Sequence, residues 1–408
     1  MQSFAFALTL AGLAVAPATA AAAADAAPPN ILFLLADDQS FETVRAFGHT
    51  DIDTPHLDRL VARGTTFTHA YNMGSWTPAV CIASRTMLIT GRSLWRAQAI
   101  HQVIDREREA GRLWPQLMAG AGYFTGFTGK WHVNTDTTRV FQETRHLRGG
   151  MPGDTPTATA DRQPTSPILG ARSTRSSAAI GRVEGTGARS RPTTPSPSSK
   201  PRVRRPSPSS CMSPSTLRTI PASRRRPTWS VTPRPDRRAH ELPPRLPYQS
   251  DIGCGPDLRD EQLAPFPRTP HAVQVHRQEY YALITHLDAQ IGRILDALER
   301  SGQAGRTWVF FTADQGLSVG HHGLLGKQNL YEHSLRVPFV VAGPDVKAGA
   351  TITTPIYLQD IMATALDLAH VPRADTLEFH SLLPLLRGKT SPPPATPSTP
   401  PISISSAP

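Results

Sequence analysis

The sequence is short of cysteine and of long apolar runs. Its three cysteines, Cys81, Cys211 and Cys254, are too few and too unevenly spaced to predict a disulfide framework. After the N-terminal region, no apolar stretch reaches the length of a transmembrane helix, so no membrane span is predicted. The apolar share is only 39% of 408 residues, although this length suffices for one large domain with a substantial core.

Acidic residues are depleted in one part of the chain. Residues 151–250 hold 18 of the 40 prolines and 18 of the 43 Lys and Arg residues, but only 5 of the 32 acidic ones. The rest has 25 basic and 27 acidic residues, so the net charge of +11 belongs to this segment. The basic balance therefore gives no support for a specific nucleic-acid partner of the remaining chain.

Residues 155–245 also lack aromatic residues, apart from Trp229, and show neither a strand nor a helix period. Such an Arg/Pro/Ser-rich segment cannot bury enough apolar surface to offset its conformational entropy, so it is predicted to be disordered as printed. A loop of this length inside a compact domain is unusual. We interpret it as a frame slip, because a GC-rich gene encodes Arg, Pro, Ala and Gly in any frame. A natural basic insertion is the alternative, and translation of the neighbouring frames distinguishes the two.

Both ends of the chain are also unlike a globular domain. Residues 4–15 form an apolar run too short to span a membrane, and Ala18-Thr19-Ala20 offers a cleavage site. Residues 1–24 are therefore predicted to be a signal peptide of a periplasmic or secreted protein, although no Lys or Arg precedes the run. An alanine-rich disordered leader is the alternative. Residues 389–408 are predicted to be a disordered tail, where a second frame slip would remove a C-terminal subdomain.

Between these regions the apolar pattern predicts alternating strands and helices. Buried strands are predicted at residues 30–36 and 307–312, and a long amphipathic helix at residues 276–300. Strands alternate with helices on both sides of the 155–245 segment. This order predicts an α/β domain over residues 25–388, with a central sheet flanked by helices.

Acidic residues follow two of the predicted strands. Asp37 and Asp38 come after the first, and Asp314 and Gln315 after the strand at 307–312. Ligand sites of open α/β sheets gather at the carboxyl ends of the strands, and such an oxygen-rich group suits Ca²⁺ or Mg²⁺. Either pair alone is more typical of a turn or a helix cap. Together, with the cysteine-containing motif of residues 81–85 between them, the two pairs predict a metal site.

That motif is Cys81-Ile82-Ala83-Ser84-Arg85, followed by Thr90-Gly91-Arg92. Alone it could be a buried helical cysteine beside a surface arginine. With its neighbours, the chain resembles the type I, formylglycine-dependent sulfatases of the alkaline-phosphatase-like superfamily. The resemblance covers residues 29–150 and 251–388, and its segments are PNILFLLADD, TPHLDRLVARGTTFTHAY, CIASR with TGR, GYFTGFTGKWH, FFTADQG and GLLGKQNLYEHSLRVPFVVAGP.

The resemblance implies an alkaline-phosphatase-like sandwich with a large, mostly parallel mixed sheet. It also implies Ca²⁺, rather than Mg²⁺, as the cofactor. Cys81 would be oxidised to Cα-formylglycine by a maturation enzyme and would touch the metal. Gln315 departs from the family, where Asn, Asp or His is more frequent. The implied metal ligands are Asp37, Asp38, Cys81, Asp314 and Gln315.

The resemblance also assigns the residues around the sulfate group. Arg85 would hold the aldehyde hydrate through charge-assisted hydrogen bonds, although alone it reads as a solvated helix residue. Lys130 and His132 match a K-x-H pair on sulfate and formylglycine, and Lys327 matches a late sulfate-binding lysine. One hydroxyl of the hydrate would attack sulfur, a histidine or lysine would protonate the leaving alcohol, and the second hydroxyl would expel sulfate.

Three readings of the function follow. The first is a hydrolase of sulfate monoesters, with a sulfated polysaccharide, an aryl sulfate or choline sulfate as open substrate choices. The second is a related metal-dependent phosphodiesterase or phosphonate hydrolase. The third is a non-catalytic product of a damaged gene, whose Arg-rich middle would bind polyanions nonspecifically. Activity is also in question because family members carry another histidine, in an H-x-P motif, in the middle third. Neither His240 nor His271 has that context here.

Overall fold

The computed structural model describes residues 28–49, 51–150, 209–215 and 254–389, the third range as backbone only. The predicted signal peptide, the predicted tail beyond Lys389 and most of the 155–245 segment lie outside these residues. Among the described residues, no helix is both long enough and apolar enough to cross a bilayer.

The centre of the fold is a mixed sheet. Its described strands are β1 Asn30–Ala36, β2 Thr65–Phe67, β4 Phe124–Lys130, β5 Glu143–Arg148, β6 Ser209–Ser215, β7 Thr307–Ala313, β9 Phe339–Ala342 and β10 Ala350–Ile352. They lie in the order β10-β2-β9-β7-β1-β6-β4-β5. Neighbours are parallel except that β9 runs antiparallel to both β2 and β7. A smaller sheet has the order β11-β3-β8, with β3 Ala70–Tyr71, β8 Arg336–Val337 and β11 Ile356–Tyr357.

Helices pack around the main sheet in groups. The described α-helices are α1 Pro55–Arg63, α2 Val80–Thr90, α3 Leu94–His101, α4 Ile104–Glu109, α5 Trp114–Gly120, α6 Pro270–Arg300, α7 Glu332–Leu335, α8 Asp360–Leu368 and α9 Leu383–Leu386. Helix α1 contacts α6, whereas α2 contacts α3, α5 and α8. The predicted α/β class with a mostly parallel mixed sheet is confirmed.

The central strands are the ones whose sequences are continuously apolar. Strand β1 is buried along nearly its whole length, and β7 is buried at every residue. Such runs suit strands covered on both faces, which is why the pattern located them correctly. The predicted long helix begins earlier than expected, at Pro270, because the Thr269 hydroxyl accepts a hydrogen bond from the Ala272 amide and forms an N-cap.

Strand β6 differs from the sequence expectation. The whole 155–245 segment was predicted to lack regular structure, but residues 209–215 form a parallel strand between β1 and β4. The sequence SSCMSPS has no strong strand pattern, so local propensity could not reveal it. Pairing on both sides supplies the hydrogen bonds that stabilise such a strand, and this depends on distant partners.

Candidate active site

The strand register brings the predicted acids together. Ala36 pairs with Ala313 across β1 and β7, so Asp37 and Asp314 leave neighbouring parallel strands side by side. The Asp314 amide donates to the Ala36 carbonyl oxygen at 3.0 Å. The Asp38 amide in turn donates to Asp314 Oδ1 at 3.1 Å. The fold therefore brings the end of β1, with Asp37 and Asp38, next to the end of β7, with Asp314 and Gln315, as predicted.

Helix α2 places the cysteine beside these acids. It begins at Val80, one residue before Cys81, and nearly every residue along it is buried. It ends at Thr90 and is followed by Gly91, whose left-handed backbone (φ 68°) favours glycine; a side chain there would also press against Leu377 and Met362. Cys81 is 2% exposed and its Sγ lies 3.9 Å from Asp38 Oδ1.

Four residues offer ligand atoms that all lie within 4.8 Å of one another: Asp37, Asp38, Cys81 and Asp314. Gln315 adjoins them, because its Nε2 donates to Asp38 Oδ1 at 2.6 Å and lies 3.5 Å from Cys81 Sγ. Its other amide atom, Oε1, is buried and has no hydrogen-bond partner among the described residues. A buried carbonyl oxygen without a partner is costly, and a cation would satisfy it. This donor set, mostly carboxylate and amide oxygen, fits a hard divalent ion.

Three cationic side chains balance the three carboxylates. The Lys130 ammonium contacts both Asp37 oxygens, at 2.8 and 2.9 Å, and the Lys327 ammonium contacts both Asp38 oxygens at 2.8 Å. The Lys327 ammonium also lies 3.4 Å from Cys81 Sγ. Each lysine therefore forms an ion pair with one of the two neighbouring carboxylates, Lys130 with Asp37 and Lys327 with Asp38.

Arg85 is the third cation, and the alternative interpretation of it as a solvated surface residue is wrong. It is 4% exposed and contacts acids at the ends of two strands, Asp37 after β1 and Asp314 after β7. Its Nε donates to Asp314 Oδ2 at 2.9 Å, and Nη2 lies 3.4 Å from Asp37 Oδ1. A further donation to the Lys130 carbonyl oxygen, at 2.5 Å, ties helix α2 to the end of β4.

The cluster shifts the pKa of its members in opposite directions. Burial raises the pKa of Asp37, but Lys130, Arg85 and Lys327 outweigh it and hold that pKa well below its usual range. Burial, with the charge of Asp37, raises the pKa of Asp314 to about 7. Burial also raises the pKa of the Cys81 thiol, and the neighbouring carboxylates add to the effect. An unmodified Cys81 is thus a poor nucleophile in this environment, because the thiolate is the reactive form.

His132 lies next to the cluster, but no hydrogen bond to the cluster's acids is present. Its backbone is left-handed (φ 56°), and its buried Nδ1 has no partner among the described residues. Burial lowers the pKa of His132 to about 4, and the charges of Lys130 and Arg85 add to this. The imidazole is therefore neutral at pH 7. His271, by contrast, lies exposed at the start of α6.

Three residues near the site were missed by the sequence reasoning. The Tyr280 hydroxyl donates to the Asp38 carbonyl oxygen, and the Ser40 hydroxyl, two residues after Asp38, donates to the Leu317 carbonyl oxygen. Glu261 accepts hydrogen bonds from the loop before Lys327. Tyr280 lies in an amphipathic helix, and sequence analysis assigns an aromatic residue of such a helix to the apolar face that packs on the core. No local sequence signal separates it from Tyr281 beside it.

Comparison with known proteins agrees with this geometry. A family model described as Sulfatase matches residues 29–168 and 234–371, which is more than half of the chain. The chain belongs to the sulfatase family. Members of this family generally use Ca²⁺ and formylglycine, and the Asp/Cys group described above could bind a metal.

Individual relatives match over shorter lengths. Arylsulfatase K of Danio rerio is 37% identical over 118 residues, covering 29% of this chain and 23% of that protein. An arylsulfatase of Clostridium perfringens (strain 13 / Type A) is 38% identical over 124 residues, covering 29% and 26%. The chain thus matches about a quarter of the length of these curated relatives.

Solved structures support the fold over most of the chain. BT4656, in complex with its substrate D-glucosamine-2-N,6-O-disulfate, aligns with a TM-score of 0.55 at 19% identity, covering 89% of this chain and 81% of that one. The phosphonate monoester hydrolase SpPMH from Silicibacter pomeroyi gives 0.58 at 18% identity, covering 89% and 77%. The fold is accordingly the alkaline-phosphatase-like α/β sandwich expected from the sequence.

Proposed function

We propose that this chain hydrolyses sulfate monoesters to an alcohol and inorganic sulfate, using a formylglycine made from Cys81 and a Ca²⁺ ion. The observation that carries the proposal is the convergence of Cys81 with three carboxylates, two lysines and one arginine around the ends of β1, β4 and β7. These elements are far apart in the sequence. A merely structural ion-pair cluster would not require a cysteine in its centre.

Asp37, Asp38, Asp314, the residue at position 81 and the Gln315 amide oxygen would hold the Ca²⁺. When bound, this ion would neutralise the acids and act as a Lewis acid on a sulfate oxygen. The formylglycine would supply the nucleophile that a buried, poorly ionised thiol does not provide.

The remaining residues would bind and orient the ester. Lys130 and Lys327 are almost fully buried, and nearby carboxylates raise the pKa of both against the effect of burial. Both side chains are therefore protonated at neutral pH and can neutralise negative charge on the sulfate group. Arg85 is fixed by Asp314 and the Lys130 carbonyl, so it can orient the group at position 81.

His132 would exchange a proton with the reacting oxygens. Its imidazole is neutral at pH 7, so one ring nitrogen carries a proton while the other can accept one. The buried Nδ1 has no partner among the described residues, which leaves it able to bond a ligand.

A phosphonate monoester hydrolase is the second candidate, because SpPMH shares the fold with a TM-score of 0.58. The test is a paired assay on protein coexpressed with a formylglycine-generating enzyme, with 4-nitrophenyl sulfate and bis(4-nitrophenyl) phosphate as substrates. We expect Ca²⁺-dependent hydrolysis of the sulfate ester, and none after the Cys81→Ala substitution. A preference for the phosphate diester would support the second candidate. Absence of both activities in Ca²⁺-loaded, folded protein would support the inactive-product reading.

For the natural substrate we propose a sulfated carbohydrate, since BT4656 was solved with a sulfated glucosamine. Aryl sulfate and choline sulfate are the comparison substrates in the same assay. We further propose export of the protein to the periplasm or the medium after removal of residues 1–24. N-terminal sequencing of the mature protein tests this, and retention of Met1 in the cytoplasm would contradict it.

A further inference from the structure

The backbone of Asp38 is strained. Its φ is +58°, in the left-handed region that residues other than glycine seldom adopt. The residue directly follows the turn out of β1, and its carboxylate faces Lys327, Gln315 and Cys81. A conformation of this kind persists only where the surroundings over-determine it.

Tyr280 on α6 supplies that restraint. Its hydroxyl donates to the Asp38 carbonyl oxygen at 2.7 Å and accepts from the Ser40 amide at 2.9 Å. A phenol can donate one hydrogen bond and accept others, so this single group fastens the backbone on both sides of Gln39.

Ser40 connects this segment to the residues that follow Asp314 and Gln315. Its hydroxyl lies 2.7 Å from the Leu317 carbonyl oxygen and accepts from the Leu317 amide at 2.9 Å. Leu317 follows Asp314 and Gln315 by only a few residues. The Tyr280 hydroxyl therefore binds the backbone of Asp38 and Ser40, and Ser40 is in turn hydrogen-bonded to Leu317, close after Asp314 and Gln315.

We propose that Tyr280 is a positioning residue of the metal centre, whose hydroxyl keeps Asp38 left-handed so that its carboxylate faces the other ligands. The proposal rests on the proposed function in one respect, namely that Asp38 is a Ca²⁺ ligand. Groups that hold metal ligands in place commonly contribute 10- to 100-fold to metal affinity. Loss of the Tyr280 hydroxyl should therefore weaken Ca²⁺ binding about tenfold or more, although Tyr280 does not contact the ion.

The test is calorimetric titration of EDTA-stripped protein with CaCl₂, for the wild type, Tyr280→Phe and Tyr281→Phe. Tyr281 is the matched control, because it is the next residue on α6 and also packs against the core. We expect the Ca²⁺ dissociation constant to rise about tenfold or more in Tyr280→Phe. In Tyr281→Phe it should equal that of the wild type.

A purely structural role for the hydroxyl predicts a different pattern. The melting temperature of Tyr280→Phe in EDTA would fall, while its Ca²⁺ dissociation constant would equal that of the wild type. That result would overturn the proposal. Wild-type protein that binds no Ca²⁺ would contradict the proposed function instead.

Hydrogen exchange of the wild type tests the positioning on its own, even if Tyr280→Phe does not fold or Ca²⁺ does not bind. The Ser40 amide donates to the Tyr280 hydroxyl, so it should exchange slowly compared with exposed loop amides. Exchange of Ser40 as fast as an exposed loop amide would overturn the proposed restraint.

Discussion

Replacement of Arg268 by methionine should destabilise the protein strongly. Arg268 forms an ion pair with Glu261 at 2.6 Å, and both side chains are 1% exposed. Glu261 also accepts hydrogen bonds from the amides of Leu325 and Gly326, directly before Lys327. Removal of the guanidinium leaves a buried carboxylate without its counter-charge, which costs about 3–5 kcal/mol.

The assay is thermal unfolding in EDTA. At about 2 °C per kcal/mol for a domain of this size, Arg268→Met should lower the melting temperature by about 6–10 °C. Arg259→Met is the control, because Arg259 pairs with Asp260 at 2.8 Å but its side chain is 63% exposed. Solvent screens the exposed guanidinium of this pair, although Asp260 itself is only 12% exposed, so the pair should contribute less than about 1 kcal/mol. This variant should therefore melt close to the wild type.

A double variant refines the reasoning. Glu261→Gln in the Arg268→Met background removes the uncompensated charge but keeps an amide oxygen for the loop amides. It should recover about 1 kcal/mol or more relative to Arg268→Met alone. Equal melting temperatures of Arg268→Met and Arg259→Met, or a double variant less stable than Arg268→Met, would refute the account of this pair.

Three further predictions concern other parts of the chain. Hydrogen bonds from Arg112 and Arg92, against burial, lower the pKa of Glu107 to about 2, so Glu107 stabilises the fold above pH 4.5 and loses this effect as the pH falls towards 2. Urea unfolding should find Glu107→Gln less stable by about 1–2 kcal/mol at pH 7, with the difference shrinking below pH 4.5. Thr269→Ala should cost about 1 kcal/mol by loss of the α6 N-cap, whereas Thr269→Ser should not. Ca²⁺ at 100 times its dissociation constant should stabilise the protein by about 2.7 kcal/mol, and EDTA should reverse this.

The fold was predictable where the sequence pattern is strong. The continuous apolar runs of β1 and β7 located the two central strands, and alternation of strands with helices gave the sheet class. Strand β6 was not predictable, because its formation depends on partners on both sides rather than on its own residues.

The site was predictable where the chemistry is local. Acid pairs at strand ends and a cysteine at a helix start are visible in the sequence, and the fold brings these residues within contact distance. The role of Tyr280 was not, because its hydroxyl reaches a backbone carbonyl 242 residues away in the sequence. Ser40 and Glu261 were missed for the same reason, since side-chain contacts with distant backbone leave no local pattern.

The chemical state of residue 81 tests the central claim most directly. The measurement is the mass of the proteolytic peptide containing Cys81, from protein coexpressed with a formylglycine-generating enzyme and active on 4-nitrophenyl sulfate. We predict the mass loss that accompanies replacement of the thiol by an aldehyde, together with trapping of that peptide by a hydrazide. A plain thiol at position 81 in the active protein would contradict it.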